Sequence, residues 1–138
     1  MMQGFEVFDF KAKPPVVSIT ENGLVFNWSV CTLLDFPLYV RVLINRSDKM
    51  IAIQKASESD SMKKTFWTAS RERTKHSCVN RYVRFNDIAL NREIAEMMNW
   101  YLPDTGPMRV RGTYCQEEQA VIFDLKKARG TGNAGKAP

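Results

Sequence analysis

The sequence predicts an α+β fold that is mostly β and is built from two tandem copies of one unit. The first observation is an internal repeat, because the pattern of NGLVFNWSVCTLLDF at 22–36 returns as NDIALNREIAEMMNW at 86–100. The second is that each stretch leads into two alternating apolar segments around a polar turn, which is typical of a β-hairpin. The third is a composition of 44% hydrophobic and 25% charged residues, which is ordinary for a globular domain.

The first copy predicts two short strands, a capped helix and a hairpin. The turn signal Glu21-Asn22-Gly23 separates the two strands. Asn27 can cap the helix, since its side chain can accept a hydrogen bond from a first-turn amide. Apolar residues at positions i, i+3 and i+4 give the helix one buried face. The predicted elements are strands at 16–20 and 24–26, a helix face of Val30, Leu33 and Leu34, and hairpin strands at 39–44 and 50–54.

The second copy predicts the same order, with a longer loop before its hairpin. Asn91 takes the capping place of Asn27, and Trp100 stands where Phe36 stands in the first copy. The helix face again has apolar residues at i, i+3 and i+4. The predicted elements are strands at 82–85 and 88–90, a helix face of Ile94, Met97 and Met98, a loop at 102–107, and hairpin strands at 108–114 and 119–125.

Each copy alone is too small to bury an adequate core, so we expect the two copies to share one. Duplicated units of this kind can pack about a pseudo-twofold axis, as the subunits of a homodimer do. Chance similarity between two strand–helix–hairpin segments is the alternative. The predicted division is a first repeat with an N-terminal strand at 1–54, a basic linker at 55–80, a second repeat at 81–125 and a disordered basic tail at 126–138.

The repeated unit resembles the AbrB-type swapped-hairpin domains of transition-state regulators and MazE-like antitoxins. The resemblance lies in Leu24-Val25-Phe26-Asn27, in the helical run at 30–36 and in the hairpin at 40–54. Two such units in one chain resemble MraZ-type proteins. The resemblance implies two swapped-hairpin repeats forming one intertwined, barrel-like domain, and it implies a DNA-binding transcription regulator that can dimerise.

The basic residues by which that family contacts DNA are not matched in this sequence. The corresponding positions are Gly23, Cys31 and Thr32 in the first copy and Asp87, Ala95 and Glu96 in the second. The resemblance therefore supports the predicted fold, but it gives only weak support to the DNA-binding surface that this family uses.

Positive charge is concentrated in two parts of the chain, which has a net charge of +5. The segment 55–84 holds eight basic and three acidic residues, and the tail from Lys126 holds four basic residues and no acidic one. Such an uneven distribution of charge suits a polyanionic partner, although a solvated linker and a frayed chain end would give the same charge pattern. The predicted nucleic-acid-binding residues are Arg41, Arg46, Lys63, Lys64, Arg71, Arg73, Lys75, Arg81, Arg84, Arg109 and Arg111.

The spacing of two arginines and the presence of two aromatic residues indicate how the basic residues could act. Arg109 and Arg111 are two positions apart, so they should share one face of a strand. Phe66 and Trp67 form the apolar anchor of residues 55–78, and they either stack on bases or hold the segment to the body.

Other chemistry has little support in the sequence. His76 and Cys78 make too small a set for zinc, and no phosphate-binding glycine loop or nucleophile–base pair is recognisable, so we predict neither enzyme activity nor a cofactor. Three separated cysteines and the lack of a long apolar run predict a cytoplasmic protein that does not span a membrane. The expected partner is DNA. The alternatives are a single-strand binder of the Whirly or coactivator type and an antitoxin-like protein-interaction module.

Overall fold

The computed structural model describes residues 3–6, 14–66 and 82–130, and in these residues nine strands form one antiparallel sheet. The predicted α+β, mostly β class is confirmed. The strands are β1 (Val16–Ile19), β2 (Leu24–Asn27), β3 (Tyr39–Asn45), β4 (Met50–Lys55), β5 (Lys64–Thr65), β6 (Tyr82–Phe85), β7 (Met108–Cys115), β8 (Ala120–Asp124) and β9 (Arg129–Gly130). The helices are α1 (Trp28–Leu33), α2 (Ile88–Met98) and α3 (Leu102–Thr105), with a 3-10 turn at Leu125–Lys127.

The sheet curls around its core into a half-barrel. Its strand order is β5-β3-β4-β8-β7-β1-β2-β6, and β9 pairs with β7 away from this path. Side chains from distant strands meet inside, since the ring centroids of Phe26 on β2 and Phe123 on β8 are 6.0 Å apart. Alternate residues such as Ile51 and Ile53 on β4 point into this core, as the period-two pattern predicts.

The two predicted hairpins are confirmed. The β3–β4 hairpin and the β7–β8 hairpin have equivalent registers, with Asn45 opposite Met50 and Cys115 opposite Ala120. Each has a four-residue turn, and the last residue of each turn has a positive φ, 56° at Lys49 and 49° at Gln119. We therefore treat Met50 and Ala120, and the residues in step with them, as equivalent positions.

Strands from the two halves of the chain pair with each other. In the β4–β8 pair Met50 lies opposite Asp124, and in the β2–β6 pair Leu24 lies opposite Phe85. Both pairs are antiparallel, which is the relation that a twofold axis between the two halves would give.

The predicted strand at 88–90 is wrong, because these residues form the first turn of α2. Asp87 begins the helix, since its side chain accepts a hydrogen bond of 3.0 Å from the amide of Leu90. The predicted helix faces are nevertheless correct, with Val30 and Ile94 fully buried.

Neither asparagine makes the predicted capping hydrogen bond. Asn27 occupies the N-cap position of α1 as predicted, but its Oδ1 accepts from the amide of Val16 at 3.0 Å and its Nδ2 donates to the carbonyl of Pro14 at 3.0 Å. Asn91 lies inside α2, and its Nδ2 donates to the carbonyls of Thr20 and Gly23. Both side chains satisfy backbone groups beside the short β1–β2 hairpin, which long-range packing brings to them.

Two segments predicted to lie outside the repeats carry ordered structure. Phe66, in the predicted linker, is 1% exposed, which confirms that it anchors the segment to the body, whereas Trp67 lies outside the described residues. Residues 126–130 belong to the 3-10 turn and β9, so the prediction of a disordered tail does not hold for them. The N-terminal strand of the first repeat is predicted at 5–10 from the alternation of apolar and acidic residues; Phe5 and Glu6 have no regular structure, and residues 7–10 lie outside the described part.

Candidate nucleic-acid interface

The predicted basic residues separate into those that are engaged by neighbours and those that converge on one surface. Together with Lys127 and Arg129, Arg109 and Arg111 line an open groove with a volume of about 1000 Å³. All four side chains are exposed. We call these four residues the basic groove. The rest of its described lining is Pro14, Val16, Val110 and Gly130, so no acidic residue of 3–6, 14–66 or 82–130 faces it.

Strand β7 presents two of the four charges. Val110 is buried in the core, so its neighbours Arg109 and Arg111 point to the opposite face, as the alternation predicts. On either side of β7, Arg109 lies opposite Ser18 of β1 and Arg129 of β9. Two arginines directly opposite each other on neighbouring strands repel, and an anion between them would remove that repulsion.

The 3-10 turn brings Lys127 to the same surface. Asp124 closes this turn by accepting a hydrogen bond of 3.1 Å from the amide of Lys126, and its carboxylate also pairs with the Lys126 ammonium at 2.9 Å. The hydrogen bond from the Lys126 side chain lowers the pKa of Asp124, and the charge of Lys127 acts in the same direction. Asp124 thus engages Lys126, while Lys127 lines the groove.

None of the four groove cations forms an ion pair with any carboxylate in the part of the chain that the structure describes. Four like charges on one concave surface raise the local positive potential, which attracts a polyanion. The arrangement suits phosphate groups better than an isolated carboxylate, since a nucleic-acid backbone supplies several negative charges at close spacing.

The other predicted basic residues that the structure describes have partners. Arg41 donates to Gln54 at 2.8 Å and lies 3.5 Å from Asp60, and Arg46 pairs with Glu93. The remaining contacts are Lys63 over the Tyr39 ring at 5.4 Å, Lys64 with Asp87 at 3.8 Å, and Arg84 over the Tyr82 ring at 5.8 Å. Arg71, Arg73, Lys75 and Arg81 lie outside the described residues, so their role stays a prediction.

Sequence reasoning found Arg109 and Arg111 but missed Lys127 and Arg129. Both missed residues were assigned to a disordered tail because the Gly-rich sequence after Arg129 dominates that segment. The one local signal was the alternation of Lys127, Ala128 and Arg129, which is too short to predict a strand. Pairing with β7, far back along the chain, makes β9 a strand.

Other kinds of site are not found in residues 3–6, 14–66 and 82–130. These residues contain no group of three or more metal-ligating side chains, and none of their helices is long and apolar enough to cross a membrane. Cys31 and Cys115 form no disulfide bond within these ranges, whereas His76 and Cys78 lie outside them. Comparison with family models, with curated proteins and with solved structures finds no match to this chain.

Proposed function

We propose that this chain is a DNA-binding protein that holds the phosphate backbone in the basic groove. The observation that carries the proposal is the convergence of Arg109, Arg111, Lys127 and Arg129 from two strands and a turn, without a carboxylate in the part of the lining that the structure describes. Cations placed in this way gain affinity by releasing the counterions that surround the nucleic acid. We also propose that its role is transcription regulation, which is what the resemblance to AbrB-type domains implies.

The composition of the groove favours duplex DNA over a single strand. Binding of single strands draws about 1–3 kcal/mol per base from stacking on aromatic rings. Among residues 3–6, 14–66 and 82–130, no aromatic residue lines the groove. Its charges would contact phosphates and position the protein on the duplex, and phosphate contacts carry no sequence information by themselves.

We further propose that the two halves are tandem repeats of the AbrB-like swapped-hairpin kind. The recurrence of strand, helix and hairpin supports this, as does the pairing of β2 with β6 and of β4 with β8. A homodimer of the whole chain is a separate expectation, which light scattering coupled to gel filtration would test.

Direct binding measurements on the full chain test the DNA proposal. Fluorescence anisotropy would compare a labelled 20-base-pair random duplex with its single strand at low salt. We expect the duplex to bind more tightly, and we expect the double substitution Arg109→Gln and Arg111→Gln to weaken duplex binding at least tenfold. Arg41→Gln is the matched control, because Arg41 occupies in β3 the position of Arg111 in β7 but is held by Gln54 and Asp60.

Three results would contradict the proposal. The duplex could fail to bind at low salt, the groove variant could bind it as well as the unchanged protein, or the control could lose as much affinity as the groove variant. Tighter binding of the single strand would replace duplex DNA with single-stranded nucleic acid as the ligand. Circular dichroism of each variant would confirm that the fold is retained.

A further inference from the structure

A row of side chains begins in the basic groove and crosses the sheet as far as β6. The strand registers place Arg129 of β9 opposite Arg109 of β7, and Arg109 opposite Ser18 of β1. Ser18 lies opposite Val25 of β2, and Val25 lies opposite Arg84 of β6. Residues directly opposite each other on neighbouring strands share one face of the sheet. We call Ser18, Val25 and Arg84, which continue the groove across this face, the outer row.

The outer row points away from the core. Val83, the neighbour of Arg84 along β6, is buried, and so is Phe26, the neighbour of Val25 along β2. Because successive residues of a strand point to opposite faces, Val25 and Arg84 stand on the face opposite the core. Arg84 is exposed, whereas Ser18 and Val25 are half-buried. The outer row and the basic groove therefore present their side chains on the same face of the sheet.

Arg84 stands apart from the cations of the groove. Neighbouring strands lie about 4.8 Å apart, so the three steps from β7 to β6 put the Cα of Arg84 about 14 Å from that of Arg109 along the sheet. A duplex rises about 3.4 Å per base pair, so this separation corresponds to about four base pairs along its axis. Ser18 and Val25, which lie between the two arginines, are uncharged. The row is therefore not a continuous line of charge for a phosphate backbone.

The hydrogen-bond donors of Arg84 are available to a ligand. Its guanidinium lies 5.8 Å from the centre of the ring of Tyr82, two residues earlier on the same face of β6. It forms no ion pair with a carboxylate of residues 3–6, 14–66 or 82–130. Contact with a ring orients a guanidinium without using its N–H groups as hydrogen-bond donors. Such an arginine can donate two parallel hydrogen bonds to one partner.

We propose that the outer row reads base edges in the major groove of the duplex whose backbone the basic groove holds, an inference that rests on the proposed function. Arg84 would donate two hydrogen bonds to O6 and N7 of a guanine, which is the commonest specific contact between a protein and a base. Val25 would contact the methyl group of a thymine, and the Ser18 hydroxyl would bond to a neighbouring base edge. The duplex axis would follow the row, so the guanine lies about four base pairs from the phosphates that Arg109 contacts.

The surroundings of Arg84 favour a base over a phosphate. The groove gathers four cations, whereas Val25 and Tyr82 beside Arg84 are an aliphatic and an aromatic side chain. The major groove presents both hydrogen-bonding groups and the apolar thymine methyl, while phosphate oxygens present charge and hydrogen-bond acceptors alone. Phosphate contacts position a protein without specifying a sequence. The outer row would supply the sequence preference that the groove lacks.

Selection of duplexes tests the inference on the full chain. A library of duplexes with a random centre would be enriched for binding to the unchanged protein, and we expect a guanine at one position of the selected sequence. Replacing that G·C pair by A·T should weaken binding by about fivefold or more in fluorescence anisotropy. The Arg84→Gln variant should bind the selected duplex more weakly by a similar factor and should not prefer guanine at that position. Arg92→Gln is the matched control, since Arg92 is an exposed arginine of α2 outside the row.

A modified base locates the contact in the major groove. Replacing the selected guanine by 7-deazaguanine removes the N7 acceptor, so it should weaken binding to the unchanged protein and leave binding to Arg84→Gln as it was. If Arg84 held a phosphate instead, Arg84→Gln would weaken selected and random duplexes equally, and the salt slope would become shallower by about 0.9. That result would overturn the inference.

The inference is also overturned if no base is enriched, or if Arg84→Gln keeps the same preference as Arg92→Gln. These results leave the DNA proposal standing as long as the double substitution of Arg109 and Arg111 still weakens binding of every duplex. Failure of the unchanged protein to bind any duplex at low salt would overturn both.

Discussion

The salt dependence of DNA binding gives the sharpest measure of the basic groove. If Arg109, Arg111, Lys127 and Arg129 each neutralise one phosphate, the logarithm of the association constant should fall with the logarithm of salt concentration at a slope of about −3.6 for duplex DNA. Between 50 and 200 mM salt that slope corresponds to a loss of affinity of about 150-fold.

Removal of two charges should halve this slope. The double substitution Arg109→Gln and Arg111→Gln leaves two phosphate contacts, so we expect a slope of about −1.8 and a loss of about 12-fold over the same range of salt. The measurement is anisotropy of a labelled duplex at five or six salt concentrations. A slope that is unchanged in the double variant would refute the assignment of these arginines to phosphate contacts, even if the affinity itself had changed.

Three further predictions concern the structure that holds these surfaces. Phe66→Ala should lower the free energy of unfolding in urea by about 3–5 kcal/mol, because the ring is buried, whereas the exposed Met62→Ala should change it by less than about 0.5 kcal/mol. An equal effect of the two would place Phe66 outside the core. Gly23→Ala should lower the free energy of unfolding by about 1–3 kcal/mol or more, since the added Cβ would lie 1.9 Å from the backbone oxygen of Phe85. An unchanged free energy of unfolding in the same urea titration would contradict the close approach of Gly23 to β6. The pKa of Asp124 is lowered from its ordinary value of 3.8, so the carboxylate stabilises the fold above that pH, and this stabilisation is lost as the pH falls through the lower pKa of the folded state. The substitution Asp124→Asn should flatten this part of the pH profile of the unfolding free energy. An unchanged profile would contradict the contact between Asp124 and Lys126.

The hairpins could be predicted because local sequence and burial agree in them. Along β4 and β8, alternate residues such as Ile53 and Phe123 enter the core, and each polar turn separates two such runs. A period-two pattern of this length has few other solutions. The helix faces were predictable for the same reason, with the 3.6-residue period in place of two.

The start of α2 could not be predicted, because the local sequence offers two residues that could each be the N-cap of the helix. Asn91 precedes an amphipathic run, and so does Asp87, three residues before Leu90. Asp87 is the cap because Asn91 is needed elsewhere, where its amide donates to the carbonyls of Thr20 and Gly23. Those carbonyls come from a hairpin far away in the sequence, so no local pattern contains the deciding contact.

The groove depends on a difference between equivalent positions of the two hairpins, and this explains why a repeat pattern predicts the scaffold better than the site. Arg41 and Arg111 occupy the same place in the two hairpins. In the first half Asp60 and Gln54 engage the arginine, whereas in the second half Arg111 has no described carboxylate beside it and shares its surface with three other cations. The core constrains the buried residues of both hairpins, whereas most exposed positions can change with little effect on stability, and it is at exposed positions that the binding chemistry of the two halves differs.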